Sequence, residues 1–88
     1  MMYQLIFELI KGALSSAPLR FNDTRTVFYY DIKYKIHVMG FVNGITVFVN
    51  KILNDDSETQ IMGCIYTPND SVGFITNDIM QVIKNDLD

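Results

Sequence analysis

From Val27 to Val42 the apolar side chains fall on alternate positions: Phe28, Tyr30, Ile32, Tyr34, Ile36, Val38 and Val42, with Asp31, Lys33, Lys35 and His37 between them. A repeat of two marks a strand with one buried face, because successive side chains of an extended chain point to opposite sides. Asn43-Gly44 follows, a pair suited to the two-residue hairpin loop in which both residues take positive φ. Ile45 to Leu53 then returns. A reversal at 43–44 pairs Val42 with Ile45, Val38 with Val49, Ile36 with Lys51 and Tyr34 with Leu53. On that register the apolar side of the first strand meets Ile45, Val47, Val49 and Leu53. Lys51 alone is out of place, and its stem can lie along apolar surface while the amine reaches water. A strand of 16 residues far exceeds the usual length of about five or six. A bend or bulge near Gly40, or a hairpin arm reaching into another subunit, is the expected relief.

The flanks supply the other elements. Gln4, Glu8, Lys11, Gly12 and Ser15 trace one stripe at the helical period, with apolar residues between them. Residues 2–15 are therefore expected to form a helix buried on more than one side, ended by Ser15-Ser16 and Pro18. Residues 19–26 read as a polar connection. The turn Asn54-Asp55-Asp56-Ser57-Glu58 leads into a third strand from about Thr59 to Thr67, with Ile61 and Ile65 on the core face, and Pro68 stops it. Asp70 or Ser71 can cap a final helix. Its apolar stripe is Val72, Ile75, Ile79, Val82, Ile83 and Leu87, with a break possible at Gly73 or at Thr76-Asn77-Asp78. The expected fold is α+β in the order α-β-β-β-α, a three-stranded antiparallel meander with a long central hairpin packed against two helices.

Eighty-eight residues make one domain, 1–88. At 49% hydrophobic residues the chain has a core-forming rather than a disordered composition, and few polar residues remain to cover its outside. That points to an interface. A net charge of −3 argues against general affinity for nucleic acid or anionic lipid, which need clustered Lys and Arg. A single cysteine, Cys64, excludes an internal disulfide and a thiolate metal site. The N-terminus lacks the basic start of a signal peptide, and Glu8 and Lys11 interrupt its apolar stretch. Nowhere do 18 apolar residues run unbroken, so no transmembrane span is expected. Abundant Ile, Asn, Asp and Lys, with Ala only at 13 and 17 and Arg only at 20 and 25, suit an AT-rich coding sequence such as that of a low-GC bacterium or its phages. A cytoplasmic location, of the host cell if the chain is viral, is expected.

The second side of the sheet is divided. Met39, Phe41 and Phe48 lie near the turn, Ile52 lies further back, and the third strand adds Met62, Cys64 and Tyr66. Tyr29, Asp31, Lys33, Lys35 and His37 occupy the far end. The apolar zone reaches several hundred Å², as large as the biggest patch on an ordinary monomer. The C-terminal helix, a second copy or a partner protein is expected to cover it. The interaction residues are thus Met39, Phe41, Phe48, Ile52, Met62 and Tyr66, with Asp55, Asp56, Glu58 and Asp70 as a charged rim.

No motif for catalysis, metal or cofactor stands out. His37 has no nucleophile at a recognisable spacing, and a lone surface His is most often incidental. Cys64 has no cationic neighbour in sequence to lower its pKa. The acidic turn at 54–58 lacks the alternating ligands, Gly and distal Glu of a calcium loop. The α-β-β-β-α order is also that of double-stranded-RNA-binding domains. However, the segment PNDSVGFITND is acidic and polar where phosphates would need positive charge. The reading is a small non-enzymatic protein-binding module without cofactor, such as a phage- or mobile-element-encoded inhibitor or modulator of a host protein, working through its apolar sheet face. The alternative is a dimeric nucleic-acid-binding regulator using Lys33, Lys35, Arg20 and Arg25.

Overall fold

A computed structural model describes residues 2–16, 21–41 and 43–86. The chain runs α1 (Met2–Ser15), β1 (Phe21–Tyr29), β2 (Ile32–Phe41), β3 (Gly44–Ile52), β4 (Glu58–Tyr66) and α2 (Val72–Asp86). The strands form one antiparallel sheet in the order β1-β2-β3-β4. The class is the expected α+β, but the sheet has four strands rather than three. Among the described residues no helix is long and apolar enough to cross a membrane.

The added strand comes from the long alternating run, which folds back on itself. Tyr30 and Asp31 both take left-handed backbone angles, with φ of 50° and 65°, and join β1 to β2 as a two-residue loop with Tyr29 opposite Ile32. Positive φ at both loop positions matches the right-handed twist of the flanking strands. Neither residue is the glycine that usually reports such a loop, so the alternation reads straight through it. Residues 21–26, expected as a connection, are the first two-thirds of β1. Phe28 falls on the side opposite Tyr34 and Ile36, and Tyr30 lies in the loop. Both are exposed.

The second reversal lies one residue earlier than expected. Phe41 pairs with Gly44, so the chain reverses between them and Val38 faces Val47, Ile36 faces Val49 and Tyr34 faces Lys51. Relative to the expected register the return strand slides by two residues, which preserves every face. Val42, expected on the core face, lies outside the described residues. Gly44 has a φ of 145°, and a Cβ there would run into the Tyr66 carbonyl oxygen. Here the glycine serves a strained strand start rather than the tip of the loop.

The third correction concerns β4. Ile52, Lys51 and Asn50 pair with Glu58, Thr59 and Gln60, but Val49 pairs with Met62, so Ile61 is an extra residue. A bulge changes which side each later residue faces. Ile61 packs against the core as expected. Beyond the bulge the sides exchange: Met62, Cys64 and Tyr66 face the helices, while Ile65 points away and is 77% exposed. Met62 and Tyr66 therefore leave the apolar zone in which the pattern placed them.

Both helices lie on one side of the sheet. Ile6, Leu9, Ile10 and Ala13 of α1 and Ile75, Ile79 and Ile83 of α2 enclose Val27, Tyr34, Ile36, Val38, Val47 and Val49 in a single buried cluster. The buried stripe of α1 is narrower than its composition suggests, since Tyr3 and Leu5 remain exposed. Phe21 fills the room that two glycines leave, with its ring beside Gly12 of α1 and its Cβ against Gly40. The Ser71 hydroxyl accepts a hydrogen bond from the Phe74 amide at 3.1 Å and so caps α2. Helix α2 runs unbroken through Thr76, whose buried hydroxyl donates to the Val72 carbonyl. Pro18, expected to end α1, and Leu87, expected in the α2 stripe, lie outside the described residues.

Polar anchors hold α2 to the sheet. The Tyr34 hydroxyl donates to Asp86 Oδ2 at 2.8 Å, and Lys51 Nζ lies 3.1 Å from the same oxygen. This explains a lysine on the helix side of β3. Burial raises the Asp86 carboxyl, but the hydrogen bonds from Tyr34 and Lys51 outweigh it and hold the group below its ordinary 3.8. Burial, followed by the Asp86 bond, pushes the Tyr34 hydroxyl up to about 12. The Tyr66 hydroxyl donates to Asp78 at 3.0 Å.

Two outcomes check this arrangement. Gly44→Ala, which meets both the backbone angle and the Tyr66 carbonyl, is expected to cost at least about 2 kcal/mol in urea unfolding. Because Asp86 titrates lower in the folded state, its contribution is full above 3.8 and is lost as pH falls through the depressed folded value. Asp86→Asn should cost about 1–2 kcal/mol at neutral pH. It should also flatten the acid limb of a plot of melting temperature against pH.

Candidate functional site

With both helices on one side, the other sheet face is uncovered by any described element. Its side chains form cross-strand ranks set by the observed pairing. At the end beside the β1–β2 and β3–β4 turns stand Phe28, Lys33, Ile52 and Glu58. Thr26, Lys35, Asn50 and Gln60 come next, followed by Thr24, His37, Phe48 and Gly63. Asn22, Met39, Thr46 and Ile65 form the rank after that, and Phe41 closes the face at the β2–β3 turn. Met39, Phe41, Phe48 and Ile65 thus make an apolar zone over the last three ranks, with Phe41 and Ile65 the most open. Gly63 carries no side chain beside Phe48. A Cβ there would lie 2.9 Å from Gln60 Nε2 and 3.5 Å from the Phe48 ring, so the flexible end of Gln60 covers the glycine beside that ring.

The opposite end is charged and internally paired. Glu58 accepts hydrogen bonds from Lys35 Nζ at 2.8 Å and from Asn50 Nδ2 at 2.9 Å. Those two bonds, Lys35 first, hold its carboxyl below the usual range. Lys33 lies over the Phe28 ring at 6.0 Å. A cleft of about 550 Å³ opens at this end, lined by Phe28, Asp31, Ile32, Lys33, Lys51, Ile52, Leu53, Asn54 and Asp56. It combines two ammonium groups with two carboxylates on an apolar floor and focuses no single sign of charge.

His37 Nε2 lies 2.6 Å from Asn22 Oδ1, and its ring is tilted against Phe48. This amide partner orients the imidazole. Among the described residues no three His, Cys, Asp or Glu side chains gather as a metal-ligating group.

Of the six expected interaction residues, Met39, Phe41, Phe48 and Ile52 share the open face, and Ile52 stands apart in the charged rank. Met62 and Tyr66 belong to the helix side, and Ile65 takes their place. Alternation alone could not find Ile65, because the Ile61 bulge reverses its side. The acidic residues do not form one rim. Asp55 and Asp56 lie in the β3–β4 turn, Glu58 lies on the open face, and Asp70 sits at the opposite end, where it accepts from the Thr67 amide at 2.9 Å. Arg25 is on the helix side of β1, 3.6 Å from Asp23, so it does not join Lys33 and Lys35. Arg20 lies outside the described residues.

No protein-family model matches the chain, and no characterised protein or solved structure is significantly similar to it.

Neighbouring substitutions on β4 separate the two faces. Tyr66→Ser should cost about 3 kcal/mol or more, as truncation of a buried aromatic does. Ile65→Ser should change stability by less than about 0.5 kcal/mol. Equal costs in urea unfolding would mean that the bulge is misplaced.

Proposed function

We propose that this chain is a small non-enzymatic protein-binding module that works through the open face of its sheet. One observation carries the reading. The two helices share one side, leaving Met39, Phe41, Phe48 and Ile65 together on the other. Aromatic side chains and Met are enriched in the buried centres of protein interfaces, while charges stand at their rims. The face has that division, with an apolar zone at one end and the Lys35–Glu58 pair at the other. An inhibitor or modulator of a larger machine, of the kind a phage or mobile element encodes, needs such a surface and no chemistry of its own. The net charge of −3 favours a partner with a basic surface, since opposite charge speeds encounter.

Nucleic-acid binding draws less support. Lys35 is neutralised by Glu58, Lys33 stands at the cleft end beside Asp31 and Asp56, and Arg25 faces the other way. Backbone recognition needs several unpaired cations along one track.

The test is affinity capture from the native host with the wild-type chain and with Phe41→Ser and Phe48→Ser variants. A specific partner should be captured by the wild type. Its affinity should fall by about 30-fold or more in the variants, as expected for hot-spot truncations of about 2 kcal/mol. A Phe74→Ser variant on the helix side should bind normally. Undiminished binding by folded Phe41 and Phe48 variants would rule this surface out.

A further inference from the structure

Among the described residues the outer edge of β4 pairs with no further strand, and this edge, which adjoins the open face at Ile65, carries a second inference. The sheet has two edges. On β1 the edge is polar, with Asp23 and Arg25 among Asn, Asp and Thr residues. Charges of this kind discourage pairing with a further strand. Strand β4 has no such guard. No charged residue and no proline occurs from Thr59 to Tyr66, and its one protective irregularity, the bulge at Ile61, blunts only the first half. Met62–Tyr66 is left as a regular, apolar edge.

The backbone of that half can be oriented. A two-residue loop closes on a hydrogen-bonded pair, here Phe41 and Gly44, and the ladder alternates from there. The Tyr66 carbonyl accordingly lies inward against Gly44. The amides and carbonyls of Gly63 and Ile65 then face outward. The Ile65 oxygen accepts from the Cys64 thiol at 3.9 Å.

We propose that the occupant of this edge is a second copy of the chain, pairing β4 antiparallel to β4 about a two-fold axis at Cys64. A two-fold perpendicular to the sheet must set a residue opposite itself, because directly opposed residues share a face. Centred on Cys64, the register places Ile65 opposite Gly63 of the other copy. The exposed isoleucine then lies over that glycine beside the Phe48 ring, displacing the flexible end of Gln60 that covers it, and the same contact repeats across the axis. This self-complementarity selects a second copy over an unrelated strand. Assembly stops at two, since each free end of the joined sheet is then a charged β1 edge. The two open faces become one continuous eight-stranded platform.

Cys64, opposite its own counterpart, is the reporter. At a non-hydrogen-bonded position the two Cα atoms would be about 4.5 Å apart, within the range a disulfide spans. The full chain should sediment at twice its 10.1 kDa at high micromolar concentration. Oxygen with copper–phenanthroline should take two electrons and two protons from the paired thiols and give a covalent dimer. Moving the thiol off the axis, by Cys64→Ser with Thr67→Cys, should abolish the cross-link without changing the mass. Ile65→Lys should halve the mass and leave the circular dichroism spectrum unaltered. A single-chain mass at high micromolar concentration would overturn the proposal. So would aggregates without defined mass, equal cross-linking from position 67, or an unaltered dimer in a folded Ile65→Lys variant. Loss of partner capture by Phe41→Ser with the dimer intact would bear on the open face alone.

Discussion

The seating of two helices on one side of the β2–β3 pair is the contact on which the rest of this molecule depends. Tyr34, Ile36 and Val38 on one strand and Val47 and Val49 on the next offer a flat apolar surface. Ile6, Leu9, Ile10 and Ala13 cover part of it and Ile75, Ile79 and Ile83 the rest. Removing this apolar surface from water is the main favourable term for so small a fold. Committing both helices to it decides that the reverse face stays open. Each outer strand is then recruited by the same layer: Phe21 near one end and Val27 near the other bring β1 under the helices, and Tyr66 brings β4 under α2.

Polar groups at the margins set the helices in place without adding chemistry. Lys51 and Tyr34 meet Asp86 at one end of α2, and Tyr66 meets Asp78 nearer its start. A buried tyrosine ring contributes apolar area while its hydroxyl requires a partner, so each aspartate also fixes how far along its axis the helix lies. On the open face the polar contacts have a different character. Lys35, Glu58 and Asn50 are solvent-exposed or half-buried, and such pairs add little to stability. Their consequence is to separate a charged end of the face from an apolar one.

The errors in reading this chain from its residues arise where a strand is interrupted without a residue that signals it. Tyr30-Asp31 adopts a turn geometry normally signalled by Asn or Gly, and alternation continues through it unaltered, so one hairpin looks like one long strand. Ile61 is an extra residue in β4, and nothing in TQIMGCIY distinguishes a bulge from a regular strand. Its effect is to bury Met62 and Tyr66 and to expose Ile65. The slide of β3 by two residues was harmless, because a strand repeats its facing every second position.

What the residues determined by themselves is local: two amphipathic helices, strands of period two, a cap for α2 at Asp70 or Ser71, and the sides faced by Ile36, Val38, Val47 and Val49. Met39, Phe41 and Phe48 on the opposite side follow from the same parity. The tertiary structure alone decided that both helices share a face, that the sheet has four strands, and which residues of β4 look outward. Periodicity records only the direction of each side chain relative to its neighbours. Which of two faces a helix covers, and where an extra residue is absorbed, is settled by packing between elements far apart in the chain.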